Sequence, residues 1–565
     1  MLRKIYLLVL SMAVAVSARD LHSGSWAATD SLGRKLPMFE DCGAAREGKT
    51  VAMFYFLWLG QHSTSGPWNI TRIISENSEE PQWGPPHHFH HWGEPEAGYY
   101  VSDDPYIIRR HASMLSDAGV DVVIFDVTNA FTYTDVYMKL CEVYRQMRTK
   151  GNETPQIAFF THARSPETAK KLYDDFYSKQ LYPELWFSWK GKPLLLASLE
   201  GQSKEVRDFF ELRDCWAWTK GKDTWNWIDR TPQGYGWHES EDKPEETSVS
   251  AASHPTLNLG RSYQNGRQPA SSERGITGTE HLGLQFAEQW ESALKTDPEL
   301  IFVTGWNEWV AQRFITPQDG SPHLLGQPTK PGQSWFVDQY NQEFSRDIEP
   351  MKGGHGDNYY WQLVANVRRY KGVRAPNKPH SEVEIEIDGS FDDWNAANDE
   401  YFDTIGDTAH RDYKGWGALH YKDESGRNDI TSAKVARDGD AVCFYVQTAE
   451  KLTPCTDDSW MLFYIDADQN PQTGRFGYDL RIAGATGGER AVEKYDAEAG
   501  WKECGKSVFS AAGKEMEMSV PKGLLAGGEV LHFDFHICDN SPTDNIADMS
   551  VYGDSAPNRR FNYRY

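Results

Sequence analysis

Two hydrophobic patterns alternate along the first two-thirds of the chain. Short runs of aliphatic, aromatic and β-branched residues recur at 51–58, 120–125, 156–161, 193–198, 215–218, 225–228, 248–253 and from 301 into Trp306. Runs with few polar interruptions are what strands covered on both faces require. Between them lie segments with helical spacing, at 104–118, 134–147, 165–178, from 203, 280–294 and 358–370. Asp104-Pro105 is an entry signal, and Leu140, Val143, Tyr144 and Met147 share one helical face. Eight strand runs that alternate largely with helices predict an α/β TIM barrel. A doubly wound sheet gives no reason for eight units. Past a linker at 376–382 the helical period vanishes. Short strands at 383–387, 441–447, 460–465, 478–482 and 531–537, separated by Gly-, Asp- and Asn-rich turns, predict an all-β sandwich over 383–565.

Composition supports this division. From Ser381 onward the chain holds 35 of its 82 acidic residues but only 18 of its 58 basic ones. The net charge of −24 excludes nucleic acid as an expected partner, because phosphate binding needs a basic surface. Twenty-one tryptophans exceed what cores ordinarily absorb, so some are expected in a cleft, stacking on sugar faces. At the amino terminus Arg3 and Lys4 precede an apolar run ending near Val16-Ser17-Ala18. This predicts a signal peptide over 1–18, a mature barrel over 19–375, and export to periplasm or exterior. That run is too short for a comfortable membrane span, and no transmembrane segment is expected elsewhere. Seven cysteines are too sparse for a disulfide scaffold, with Cys443 and Cys455 the one pair considered.

Candidate chemistry gathers at the strand ends. Asp126, His162, Glu200 and Glu308 each follow an apolar run, and a barrel brings such positions to one mouth. Acetal hydrolysis uses a proton donor and a second carboxylate, so Glu308, Asp126 and Glu200 are the catalytic candidates. Asp126 has an alternative role in capping the turn after its strand. Trp58, His162, His238, Trp306, Asn307 and Trp309 are the candidate substrate contacts. The run His87-His88-Phe89-His90-His91 lies in a long aromatic excursion, 60–100, and reads as a metal site, a substrate contact or a self-packed loop. No G-x-S-x-G elbow, Rossmann loop or Walker loop is present.

The segment Thr304-Gly305-Trp306-Asn307-Glu308-Trp309 resembles glycoside hydrolase families 71 and 99. The family 99 pattern is Asn-Glu-Trp-x-Glu, and Asn307, Glu308 and Trp309 match its first three positions. The resemblance implies that Glu308 is the base at a sugar 2-hydroxyl. It implies a second glutamate, the proton donor, where this chain has Ala311. In the second region, Asp388-Gly389-Ser390-Phe391-Asp392-Asp393-Trp394 and Phe463-Tyr464-Ile465-Asp466-Ala467-Asp468 resemble family 9 carbohydrate-binding modules. Asp466, Asp468 and Asn470 alternate before Thr473-Gly474, a pattern that either holds structural calcium or ties down a turn. The expectation is an exported glycoside hydrolase acting on an oligosaccharide or polysaccharide, with no cofactor required for catalysis. The alternative is a non-catalytic glycan-binding protein on a hydrolase-like barrel.

Overall fold

The computed structural model describes residues 19–62, 64–253, 259–269, 277–376, 382–486, 488–525, 531–542 and 545–565. The expected signal segment and most of the linker lie outside them. Eight strands form the barrel of the first unit: β1 (Thr50–Tyr55), β2 (Val122–Val127), β3 (Gln156–Thr161), β4 (Lys192–Leu196), β5 (Glu211–Trp216), β6 (Thr224–Asn226), β7 (Glu246–Ser250) and β8 (Leu300–Trp306). Neighbours pair in parallel from β1 through β6, and β7 pairs with β8, which returns to β1. Between β6 and β7 side chains replace the ladder, the Asn226 N–H donating to Glu246 Oε2 at 3.0 Å. The result is a nearly closed, mostly parallel barrel.

Strand alternation explains the unbroken apolar runs. Ala52, Phe54, Ile124, Phe160, Leu194, Leu196 and Phe302 point into the barrel. Val51, Met53, Val123, Phe125, Phe159, Leu195 and Ile301 point outward beneath the helices. Those helices are α1 (Pro105–Asp117), α2 (Thr134–Thr149), α3 (Ser165–Leu172), α4 (Lys204–Phe209), α5 (Leu284–Thr296) and α6 (Asn358–Lys371). Asp104 caps α1 by accepting the Tyr106 N–H, and Ser203 caps α4 by accepting from Val206.

One irregularity decides the orientation of the site. β8 keeps register with β1 from Leu300 to Val303, then shifts, so that Tyr55 pairs with Trp306. The bulge at Thr304-Gly305 reverses the alternation and sends Trp306 to the outer layer. Gly305 has φ +119°, and a Cβ there would lie 1.8 Å from the Arg346 carbonyl oxygen. Only glycine lets the 346–348 segment lie against this strand, where the Ile348 N–H bonds the Gly305 carbonyl at 2.9 Å.

The second unit is all antiparallel, as expected. Its main sheet is continuous, in the order 400–402, 430–437, 441–448, 515–521, 500–512, 489–496, 480–486, 462–466, 534–539 and 554–556, while 411–414 and 420–423 pair separately. The sheet curls so that its two halves face each other: the Phe444 ring lies 5.6 Å from both Phe463 and Phe535. The layers of a sandwich are thus present, joined through the ladder. Residues 383–387 form no strand; Val383 makes one bond to the Arg437 carbonyl, and Ile385 packs beside Trp394. All seven cysteines are free, so the Cys443–Cys455 pairing is not formed.

The units share a buried seam. Phe561 packs on Trp26 and Trp361, and Arg411 reaches across to Asp104 at 2.8 Å, with both side chains almost fully buried. Removing one member of a buried pair leaves the other charge uncompensated. Arg411→Ala should therefore lower unfolding stability by about 3–5 kcal/mol in denaturant titrations. A loss under about 1 kcal/mol would show that this pair does not hold the seam.

Candidate functional site

The carboxyl ends of the strands open onto a mouth paved with rings. His162, after β3, is exposed and stacks on Trp216 at the end of β5, centroids 3.5 Å apart and planes 13° off parallel. Trp216 lies 6.3 Å from Trp227, which follows β6 and rests 5.7 Å from Phe54 inside the barrel. Across the opening, half-buried Trp58 packs with Phe89, and His62 lies against Phe131 and Tyr133. Phe131, Leu199, Trp216 and Trp218 are exposed by 57, 41, 38 and 47%, and each follows a barrel strand. Water-exposed rings concentrated at one end of a barrel form a surface suited to the flat apolar faces of sugars.

Glu308 sits at the floor of this mouth and is only 2% exposed. Its Oε2 accepts from Arg346 Nη2 and from Gln339 Nε2, each at 2.6 Å. Oε1 accepts no hydrogen bond among the described residues. The Glu308 N–H donates to Asp347 Oδ1 at 2.7 Å. Burial pushes the Glu308 carboxyl well above the usual carboxylate range; Arg346 opposes this, while Asp338, Asp347 and Asp126 add to it. Burial also raises Asp347, to about 6. The Arg346 guanidinium donates to the Asp338 carbonyl at 2.7 Å and lies 5.3 Å from the centre of the Trp227 ring. Arg346 Nε and Trp227 Nε1 are buried without an acceptor. These two donors have no surface of their own, so in this cluster Glu308 Oε1 is the oxygen left for a polar ligand.

Asp126 is brought to the same cluster. Its Oδ1 accepts from the Thr128 N–H at 3.0 Å and the Thr128 hydroxyl at 2.7 Å, the turn-capping arrangement. Burial raises its pKa, with Asp338 adding and Arg346 opposing. Glu200 is exposed at the rim, in the turn after β4. His238 is not brought in. It pairs with Asp223 at the opposite end of the barrel, beside Glu239, whose charge is felt by Lys190, the partner of Glu299 just before β8.

The other residues of the Glu308 motif are structural. Asn307 clips β1 to β8: its Nδ2 donates to the Phe56 carbonyl and its Oδ1 accepts the Phe56 N–H, both at 2.8 Å. Trp306, turned outward by the bulge, is buried between His111 and Tyr360. Trp309 is buried face to face with Trp92, centroids 4.4 Å apart, and donates to Glu349. These three are core rather than cleft wall. Ala311 lies in a ladder with His90 and packs with Ile70 and Phe336. The histidine run is packed by aromatics: His90 stacks on Trp68, and His91 lies between Tyr99 and Trp416.

Asp338, Gln339, Arg346, Asp347 and Trp227 were not singled out from the sequence. The stretch from 316 to 357 has neither strand nor helix period. Its length was the available signal, since connections that long carry function more often than not.

A scan of protein-family models finds no match, and no curated protein matches the chain. Among solved structures, two of the GH99 endo-alpha-mannosidase from Bacteroides thetaiotaomicron are similar, one of them in complex with BIS-TRIS-propane. They are 14 and 15% identical, cover 57 and 58% of this chain and 97 and 98% of their own, with TM-scores of 0.32 and 0.31. The fold class rests on the strand order of this chain.

A hollow of about 970 Å³ lies in the seam between the units, lined by Glu96, Asp357, Arg411 and Tyr552 among others. No barrel strand end reaches it, so the ring-lined mouth is the better candidate for chemistry.

Ala311→Glu should not supply an acid, because the new carboxyl would enter an apolar pocket. It should lower stability by about 2–4 kcal/mol in denaturant unfolding; unchanged stability would show that position 311 opens to the cleft. Burial lowers His90 to about 4 and His91 to about 3. Both stay neutral in the folded chain and gain protons on unfolding. Their contribution is therefore complete above pH ~6.5 and is lost as pH falls toward those values. Melting temperature should drop between pH 6.5 and 4.5, less steeply in His91→Phe; an identical slope in the variant would contradict this.

Proposed function

We propose that this protein is an exported glycoside hydrolase acting on an oligosaccharide or polysaccharide at the barrel mouth. The observation that carries the reading is Glu308 set in the floor of a ring-paved opening, with Oε1 uncommitted. Trp216, Trp218 and Trp58 would stack on sugar faces, and His162, held flat on Trp216, would bond a hydroxyl. Arg346 holds Glu308 in place and opposes the rise that burial imposes on its carboxyl, pulling it toward the ionised form that a base toward a sugar hydroxyl needs. A second carboxyl must protonate the leaving oxygen. Asp126 and Asp338 act electrostatically on Glu308 and are the groups available for that role. Glu200 is a rim contact.

One observation favours non-catalytic glycan binding instead. The family position for the proton donor is Ala311, and its surroundings are apolar. The two readings share the binding surface and differ only in turnover.

Calcium at the Asp466 turn is proposed as well. Asp466, Asp468 and Asp479 bring carboxylate oxygens within 4.8 Å of one another, and Asn470 donates its backbone N–H to Asp466 and Asp468. The exported location is read from residues 1–18 alone.

The test is a glycan panel with product analysis, comparing wild type with Glu308→Gln. Turnover should fall by at least about 10² while affinity changes far less, since the amide keeps the side chain's size. Circular dichroism must show the variant folded, because it leaves Arg346 buried without its counter-charge. Full turnover by a folded Glu308→Gln would remove Glu308 from the mechanism. Binding without turnover by wild type would establish the second reading.

A further inference from the structure

We propose that the seam between the barrel and the antiparallel unit holds a divalent cation of the calcium class, bound by Asp403, Asp407 and Asp554. These carboxylates each bring one oxygen within 4.8 Å of the others. Asp403 lies just past the strand 400–402, and Asp554 begins the strand 554–556. Asp429 stands close enough to act on Asp407 and Asp554, and Asp117, at the end of α1, acts on Asp403 and Asp407. Among the described residues none of the three makes an ion pair. Of the nearby cations, Arg19 pairs with Glu400, and Arg559 and Arg110 with Glu96; Arg109 lines the adjoining cavity and Lys150 acts on Asp429, but among the described residues neither forms an ion pair with the three carboxylates.

Proximity alone does not make an ion site; the state of Asp403 does. Its residue is 0% exposed, and neither carboxylate oxygen has a hydrogen-bond partner of normal geometry. One oxygen of Asp407 is likewise buried and unpartnered. Leaving such atoms unsatisfied costs several kcal/mol, and like charges this close add to it. Among the described residues no guanidinium or ammonium pairs with these oxygens to offset that cost; Arg19 acts on Asp403 only from beyond ion-pair distance. Asp554, by contrast, is held rigidly, one oxygen accepting the Ile430 N–H at 2.6 Å and the other the Ser555 N–H at 2.9 Å. A cavity of about 90 Å³, lined by Asp117, Asp407, Asp554 and Asn558 among others, adjoins the cluster. Hard cations take all-oxygen ligand sets, and calcium accepts several carboxylates with water completing the shell.

The position gives the ion a task. Around the cluster the units are tied by polar contacts: Asn558 bridges Asp117 and Thr404, and Asn152 bonds both the N–H and the carbonyl of Ile405. A cation here would fix the 403–407 loop against α1 and α2, joining barrel and sheet. This is independent of the glycosidase reading and of the Asp466 turn.

The experiment uses full-length protein stripped with chelator and then titrated with calcium chloride alone. Elemental analysis before stripping should find tightly held calcium. Calcium at millimolar concentration should raise the melting temperature of wild type and of Asp466→Asn by at least about 3 °C. The rise should shrink in Asp403→Asn and be absent in the double variant Asp403→Asn/Asp466→Asn. Should Asp403→Asn not fold, Asp407→Asn, at the more open edge, should weaken calcium binding at least tenfold by calorimetry. No bound calcium together with an unmoved transition in wild type would overturn the proposal. So would a calcium response that survives in Asp407→Asn and disappears in Asp466→Asn.

Discussion

The Glu308–Arg346 ion pair is the interaction on which the barrel mouth depends. Both members are almost fully buried, so each needs the other. Arg346 arrives from a segment remote in sequence, and that segment can approach only because Gly305 has no side chain. The bulge that positions Gly305 also turns Trp306 outward and leaves Glu308 facing the opening. Asn307 then fastens the end of β8 to β1 through two side-chain bonds. A single motif thus builds the floor of the site, and only its glutamate has an oxygen facing the opening uncommitted.

Around that floor, burial and charge divide the work. The carboxyls of Glu308, Asp126 and Asp347 are all raised by removal from water, and Arg346 is the cation that restrains Glu308 and Asp126. A cluster of carboxyls with one shared arginine can hold protons unequally, which acid–base chemistry requires. The rings of Trp216, Trp218 and Phe131 supply area and little directionality, as sugar binding needs.

Much of this architecture was legible from hydrophobic period. Each of the eight strand runs overlaps a barrel strand, those at 215–218 and 225–228 by two residues only; β1 to β4 and β8, covered on both faces, carry the clear apolar signal, whereas β5 and β7 are largely polar in sequence. Glu308 and Asp126 were legible as strand-end carboxyls, and the capping role of Asp126 was visible in the Thr128 that follows it. What sequence could not show was orientation. A one-residue bulge moved Trp306 from cleft to core, and Trp309 was claimed by Trp92 across a loop more than two hundred residues distant. His238 was misplaced for a related reason: an extra excursion carries it to the other end of the barrel. Arg346 and Asp338 come from a stretch with no period at all, so nothing local marked them. In the second unit, the strands 489–496 and 500–512 have one exposed face and a weaker apolar signal than the buried ones.

The central claim is that a glycan lies across Trp216 with a reacting sugar above Glu308. A crystal structure of Glu308→Gln soaked with an oligosaccharide found on the panel tests it most directly. The account predicts a sugar ring stacked on the Trp216–His162 pair and a hydroxyl or glycosidic oxygen within hydrogen-bond reach of residue 308. Sugar bound only in the seam hollow beside Asp357 and Tyr552, with the barrel mouth holding none, would contradict it.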